Sequence, residues 1–229
     1  MKSALGILAI AIGAGAAIIA ITSLLLGLRR GDDRLLAAGR RGITVVVIAS
    51  IAAVAVMEWA LVTHDFSIRY VAENNARSTP LLFTITGLWA ALEGSILLWL
   101  LVLTLLTVGV VVKYRDRLGD PMVGWALAVL FAVGVFFFVL TLGPANPFAA
   151  GSPGVLDGPG PNPLLQNHIL VMFHPPVLYI GYVGFTVPFA FAIGALVTGR
   201  VGEGWLLETR RWALLSWGLL TFGIILGSW

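Results

Sequence analysis

The sequence has 229 residues, of which 59% are hydrophobic and 11% charged, whereas an ordinary soluble domain has roughly 45–50% apolar and about 25% charged residues. With a mean hydropathy of +0.98 and a formal charge of +3, too few ionisable side chains remain to cover a water-soluble fold. The absence of cysteine excludes a disulfide framework, a thiolate metal site and a cysteine nucleophile. The composition therefore predicts a membrane protein that crosses the bilayer several times.

Six apolar runs reach the roughly 20 residues that a helix needs to cross the hydrocarbon core. In chain order, the predicted spans are 4–28, 43–62, 81–112, 123–142, 176–197 and 212–229. The first run exceeds the hydrophobic core of a signal peptide, so we expect it to remain as a span. The fold class is therefore predicted to be an all-α membrane helix bundle with six transmembrane helices, forming a single transmembrane domain over residues 1–229.

The distribution of basic residues predicts the orientation of the bundle. Eleven of the 14 Lys and Arg residues lie in the predicted inner loops 29–42, 113–122 and 198–211. The predicted outer loops are 63–80 and 143–175, and the second of these contains no Lys or Arg. Since basic residues near span ends favour the cytoplasm, the N-terminus is predicted to lie outside. The basic clusters are short and adjoin spans, and the first two contain Asp, so we expect no nucleic-acid partner.

Four polar or aromatic residues of the spans require an explanation. Intramembrane carboxylates are costly, and a helical rise of about 1.5 Å per residue places Glu58 and Glu93 near the outer interface. The same count brings His174 and Trp229 to that layer. A tryptophan belt that includes Trp89 would also lie at the interface, but the carboxylates and the histidine favour a functional site there.

His174 is the most constrained of the three histidines. It precedes Pro175 and Pro176, and a residue before proline favours extended geometry while prolines suit the first turn of a helix. The pattern predicts an imidazole fixed at the entrance of the fifth span. Neutral imidazole is an axial ligand of haem iron, and tryptophans provide a flat surface for the porphyrin. His64 and His168 lie in outer loops and are expected to be solvated.

Three stretches carry a resemblance to a known family. They are D-F-S-I-R-Y-V-A (65–72) running to W-A-A-L-E-G-S (89–95) and L-L-W (97–99), N-P-L-L-Q (162–166) with F-H-P-P-V-L-Y-I-G-Y (173–182), and the stretch 219–229 ending L-G-S-W. Together they resemble the cytochrome c haem lyases of the bacterial maturation machinery, the CcmF type. The second stretch is long and specific, and it is the strongest of the three signals.

The resemblance implies an integral membrane enzyme of the bacterial inner membrane with a periplasmic active face. Such proteins receive haem from a haem chaperone and join its vinyl groups to the two thiols of Cys-x-x-Cys-His in apocytochrome c. What the resemblance implies for His174 is a catalytic role as a ligand to the iron of b-type haem in transit. It also implies that the haem is bound by further residues of the outer layer, namely Pro175, Pro176, Trp89, Glu93 and Trp229.

Two departures limit what the resemblance implies. The family's Gly-Gly-His reads Ala90-Ala91-Leu92 here, so the role of that histidine is not carried over. The family's tryptophan-rich segment begins where this sequence stops, which implies the N-terminal part of a longer protein. The ligands of a permanent b-type haem are then expected outside this chain, other cytochrome c maturation membrane proteins are expected partners, and this part alone is expected to be inactive as a holocytochrome c synthase.

Other functions remain open from the sequence. Haem transport or delivery without covalent chemistry would use the same residues. A secondary transporter or proton-translocating subunit would use Glu58 and Glu93, although that function predicts midplane carboxylates and repeated halves. A structural subunit that contacts partners through its outer loops is a third alternative.

Overall fold

A computed structural model of the protein describes residues 1–117, 119–164, 168–200, 202 and 204–228. Within those ranges the regular structure is helical, and the one β-type contact is an isolated antiparallel bridge between Ile68 and Ala150. The predicted all-α class is therefore confirmed. The α-helices are α1 (Lys2–Arg30), α2 (Asp33–Val62), α3 (Arg69–Asn74), α4 (Leu81–Thr86), α5 (Leu92–Lys113), α6 (Pro121–Leu142), α7 (Leu170–Gly184), α8 (Thr186–Thr198) and α9 (Gly204–Gly227).

Among the described residues, five helical stretches are long and apolar enough to cross a membrane, judged by length and composition. They are Lys2–Arg30, Asp33–Val62, Leu92–Lys113, Pro121–Leu142 and Leu170–Thr198. The last stretch joins α7 to α8 through Phe185, whose backbone stays helical at φ −65° and ψ −16°. The sixth predicted span, 212–229, falls largely in α9, which is not among these five within the described part of the chain.

The connection between α1 and α2 is much shorter than the predicted inner loop 29–42. Gly31 ends α1 in the left-handed conformation at φ 64°, a region that glycine enters without steric cost. The Asp32 carboxylate then accepts hydrogen bonds from the backbone N–H of Arg34 (2.8 Å) and Leu35 (3.2 Å), which caps α2. The polar residues 33–42 are therefore helical, because the end of an apolar run marks the edge of the hydrocarbon and not the end of a helix.

The predicted span 81–112 is broken before it reaches α5. A 3-10 turn, Gly87–Trp89, follows α4, and Ala91 is extended at φ −139° and ψ 173°. The helix proper starts at Leu92, so only its later part forms one of the five apolar helices. The other predicted connections are also shortened, since α6 begins at Pro121, α7 at Leu170 and α9 at Gly204.

Small residues set the packing of the first two helices. A Cβ atom on Gly39 would lie 2.9 Å from the carbonyl oxygen of Ala20, and one on Gly27 would lie 2.9 Å from the backbone nitrogen of Leu36. Helices that lack side chains at a contact can approach closely, which stabilises bundles in lipid. The same α1 packs against α6, α6 packs against α8, and α7 packs against α9.

The helix ends and the connections between them form two groups, each on its own face of the bundle. On the first, the Lys2 ammonium lies 3.3 Å from the Asp65 carboxylate, and the Ser3 hydroxyl donates to the Phe148 carbonyl at 2.7 Å. The N-terminus therefore contacts both predicted outer loops.

On the second face, Asp120 joins the predicted inner loops. Its carboxylate lies 3.0 Å from Arg117 and 2.6 Å from Arg200, and Arg117 also pairs with Glu208. Partial burial would raise the pKa of Asp120, but the hydrogen bonds from Arg117 and the Met122 N–H outweigh it, so the pKa is lowered. The carboxylate thus stays ionised and ties the α5–α6 connection to α8.

Candidate functional site

The turn that carries Trp89 is held by a buried tyrosine. The Tyr70 hydroxyl lies 2.8 Å from the Gly87 carbonyl, to which it donates, and accepts a hydrogen bond from the Ala91 N–H at 3.3 Å. Burial foremost, and also the negative charges of Glu93 and Glu58, raise the pKa of Tyr70. The hydroxyl therefore stays protonated and remains a donor to the turn.

Trp89 makes the contact that links this turn to α7. Its indole Nε1–H donates to the backbone carbonyl of Val171 at 2.7 Å. In a regular helix that carbonyl would accept from residue 175, but Pro175 has no N–H to donate. The indole thus supplies the hydrogen bond that the proline removes.

His174 lies inside α7 and not in extended geometry at the start of a span, so that prediction is wrong. The helix begins at Leu170 and continues through Pro175 and Pro176. The carbonyl freed by Pro175 is satisfied by Trp89, and this contact offsets part of the cost of proline in a helix. The imidazole is therefore positioned by a helix and not by an extended segment.

A single hydrogen bond determines which ring nitrogen of His174 carries the hydrogen in the neutral form. Its Nδ1 lies 2.8 Å from the backbone carbonyl oxygen of Gly223 in α9. Because a carbonyl only accepts, Nδ1 must carry the hydrogen, and in the neutral ring Nε2 keeps its lone pair. A Cβ atom on Gly227 would collide with the imidazole, so glycine at that position provides room for the ring.

His174 lines an open cleft of about 370 Å³ between the start of α7 and the end of α9. Seven other described residues share its wall, and they are Leu164, His168, Leu170, Val171, Pro175, Leu226 and Gly227. This described part of the wall is apolar apart from the two imidazoles. A neutral imidazole with a free lone pair beside an apolar surface fits the requirements of an axial ligand for haem iron.

The predicted site residues are only partly brought together. His174 and Pro175 line the cleft, and Trp89 supports its wall through Val171. Pro176 and Glu93 are not among the residues that line it. Trp229 lies outside the described residues.

Glu93 pairs with a basic residue of the predicted outer loop 63–80. Its carboxylate lies 3.8 Å from the Arg69 guanidinium, in the first turn of α5. The Oε2 of Glu58 is buried without a hydrogen-bond partner in the described part of the chain. Neither carboxylate is among the described residues that line the His174 cleft.

The sequence reasoning missed His168 as a residue of the site. Its Nδ1 accepts a hydrogen bond from the Leu170 N–H at 3.3 Å, the first backbone N–H of α7. The sequence carries no clear signal for this contact, because histidine is not a preferred N-cap residue and His168 lies one position before the N-cap Ile169. Gly223 and Gly227 were also missed, although their G-x-x-x-G spacing is typical of close helix contacts in membranes. Among the described residues, no group of three or more His, Cys, Asp and Glu could hold a metal ion.

Comparison with known proteins identifies the family of the chain. The family model described as Cytochrome C assembly protein matches residues 89–229, a segment that contains Trp89, both cleft histidines and the α7–α9 contact. The chain belongs to this family. Its relatives place it in the CcmF type. It is 39% identical to the cytochrome c-type biogenesis protein CycK of Rhizobium meliloti (strain 1021), over 98% of this chain and 33% of the relative.

Two further matches agree with this assignment. The chain is 39% identical to the cytochrome c-type biogenesis protein CcmF of Escherichia coli (strain K12), over 88% of this chain and 31% of that protein. The solved structure of Cytochrome c Heme Lyase CcmF matches with a TM-score of 0.83 and 38% identity, over 97% of this chain and 35% of the solved one. The chain therefore spans about a third of the length of these family members.

Proposed function

We propose that this chain handles haem in cytochrome c biogenesis, with His174 as an axial ligand to the iron of a haem in transit. The observation that carries the proposal is the hydrogen bond from Nδ1 of His174 to the Gly223 carbonyl, 2.8 Å long. It fixes the ring and leaves Nε2 as the nitrogen with a lone pair. A metal-binding histidine commonly donates its other N–H to a backbone carbonyl in this way.

The chemistry we propose for the complete protein is the attachment of haem to apocytochrome c. The S–H group of each cysteine in Cys-x-x-Cys-His adds across a vinyl C=C bond, with sulfur joining one carbon and hydrogen the other. This addition involves no net oxidation or reduction. It requires chiefly that the vinyl group and the thiol be held close together. In this chain, His174 would orient the haem and the apolar cleft wall would exclude water.

We infer that the cleft opens on the outer side of a bacterial inner membrane, with six spans and the N-terminus outside. The N-terminus contacts Asp65 and Phe148 of the predicted outer loops, and the cleft lies where the second of these loops enters α7. Basic residues concentrate at the opposite ends of the helices, and they favour the cytoplasmic side. A haem chaperone, apocytochrome c and other maturation membrane proteins would then reach the cleft from the periplasm.

The proposal predicts that His174→Ala lowers haem attachment without affecting membrane insertion. Because the substitution removes a ligand while leaving α7 intact, covalent haem in a reporter cytochrome c should fall about tenfold or more, as measured by haem staining. Exogenous imidazole should restore part of it, since a free base can occupy an axial position but cannot repair packing.

His64→Asn is a suitable control, because His64 is another histidine of the predicted outer loops and has φ 51°, a conformation that Asn tolerates. Attachment should be unchanged in that variant. Full attachment by His174→Ala at normal protein level would contradict the assignment.

A further inference from the structure

The cleft contains a second imidazole whose hydrogen bonding is opposite to that of His174. The Leu170 N–H lies 3.3 Å from Nδ1 of His168. Because a backbone N–H can only donate, this Nδ1 must accept, and in the neutral ring the hydrogen lies on Nε2. His168 therefore offers a donor where His174 offers a lone pair.

The same hydrogen bond argues against His168 as a second iron ligand. Binding iron through Nε2 would require the ring hydrogen to move to Nδ1, where it would face the Leu170 N–H. The Leu170 N–H at the start of α7 would then lose its acceptor. A hydrogen-bond donor is the role that leaves this contact intact.

The rest of the cleft wall indicates what the donor would meet. Among the described residues that line the cleft, His168 and His174 are the polar side chains, and the others are aliphatic residues, proline or glycine. The predicted outer loop 143–175 contains no Lys or Arg. Among the described lining residues, an acidic group that enters this cleft thus meets no cation, and His168 is the side chain of that set whose ring N–H can donate to it.

We propose that the Nε2–H of His168 donates a hydrogen bond to a carboxylate of the bound porphyrin, so that the cleft selects metalloporphyrins with free carboxylates. This inference rests on the proposed haem-handling function and specifies its substrate class. His168 is then a specificity-determining residue, whereas His174 determines the iron coordination.

The test compares haem with its dimethyl ester, in which both carboxylates are blocked. The protein is produced from its complete gene, placed in lipid nanodiscs and titrated with each porphyrin while the Soret band is followed. A hydrogen bond to a charged acceptor should make the wild-type protein bind the free acid roughly tenfold more tightly than the ester. His168→Phe should lose this preference by weakening binding of the free acid alone.

His168→Gln provides the conservative variant, because its amide carbonyl can accept from the Leu170 N–H while its NH2 group donates to the carboxylate. It should retain much of the preference, and the control His64→Asn should retain all of it. Equal binding of both porphyrins by the wild type, or equal weakening of both by His168→Phe, would overturn the inference. Loss of a second axial imidazole from the spectrum of His168→Phe would also overturn it. A His174→Ala spectrum identical to that of the wild type would instead overturn the proposed function.

Discussion

At the scale of single residues, Trp89 replaces a helical hydrogen bond that Pro175 removes. Pro175 deprives the Val171 carbonyl of its helical donor, and the Trp89 indole supplies another at 2.7 Å. Trp89→Phe keeps an aromatic ring but removes the N–H, so the half-buried carbonyl would lose its partner. We expect the free energy of unfolding to fall by about 1–3 kcal/mol, measured as a shift of the unfolding midpoint in detergent.

A double-mutant cycle separates this hydrogen bond from simple packing. In a Pro175→Ala background the alanine N–H can donate to the Val171 carbonyl, so Trp89→Phe should cost clearly less than it does in the wild type. The same cost in both backgrounds would show that the indole acts through packing instead.

The pair also explains why the geometry of His174 could not be predicted from its neighbours. Composition and motif were sufficient to single out His174 and Trp89. The rule that a residue before proline is extended treats the chain locally, but the donor that satisfies the Val171 carbonyl is 82 residues away in sequence. The role of His168 depends in the same way on a hydrogen bond that only the folded α7 creates.

At the scale of helices, the α7–α9 contact depends on glycines. A Cβ atom on Gly223 would lie 2.7 Å from the Leu178 Cα, and backbone cannot move away as a flexible side chain can. Gly223→Ala should therefore separate the helices and lower the unfolding free energy by about 1–3 kcal/mol. It should also weaken haem binding, because the Gly223 carbonyl holds the His174 ring.

Gly218→Ala is the matched control on the same helix. No heavy atom of the described residues lies within 4 Å of a Cβ placed on Gly218, so alanine there should be neutral or stabilise the helix by up to about 1 kcal/mol. Unfolding midpoints and Soret titrations of the two variants provide the comparison. Similar destabilisation in both would contradict a role for close contact at Gly223.

Helix positions could be predicted more reliably than helix ends. Five of the six apolar runs overlap helices that are long and apolar enough to cross a membrane. An apolar run shows which residues lie in the hydrocarbon core and not where a helix begins. The run 43–62 therefore does not reveal that α2 already starts at Asp33, after its Asp32 cap. The run 81–112 likewise gives no signal for the break at Ala91, which depends on the contact between Tyr70 and the turn before α5.

At the scale of the whole molecule, the sorting of connections into two faces supports the proposed orientation. The structure groups the N-terminus with residues of 63–80 and 143–175, and it groups Arg117, Asp120, Arg200 and Glu208 at other helix ends. Helix packing alone has no preference for one side of a membrane. The proposed compartment of each face rests on the distribution of basic residues, which favour the cytoplasmic side.

Cysteine labelling tests this orientation directly, because these 229 residues contain no cysteine and one introduced thiol is then the reporter within them. Ser152 is exposed in the connection between α6 and α7, so Ser152→Cys should react with an impermeant maleimide added to intact spheroplasts. Asp116→Cys is the matched control, since Asp116 is exposed in the α5–α6 connection and should react only after lysis. The opposite pattern, with Asp116→Cys labelled in intact spheroplasts and Ser152→Cys only after lysis, would place the cleft on the cytoplasmic side, where apocytochrome c exported to the periplasm could not reach it.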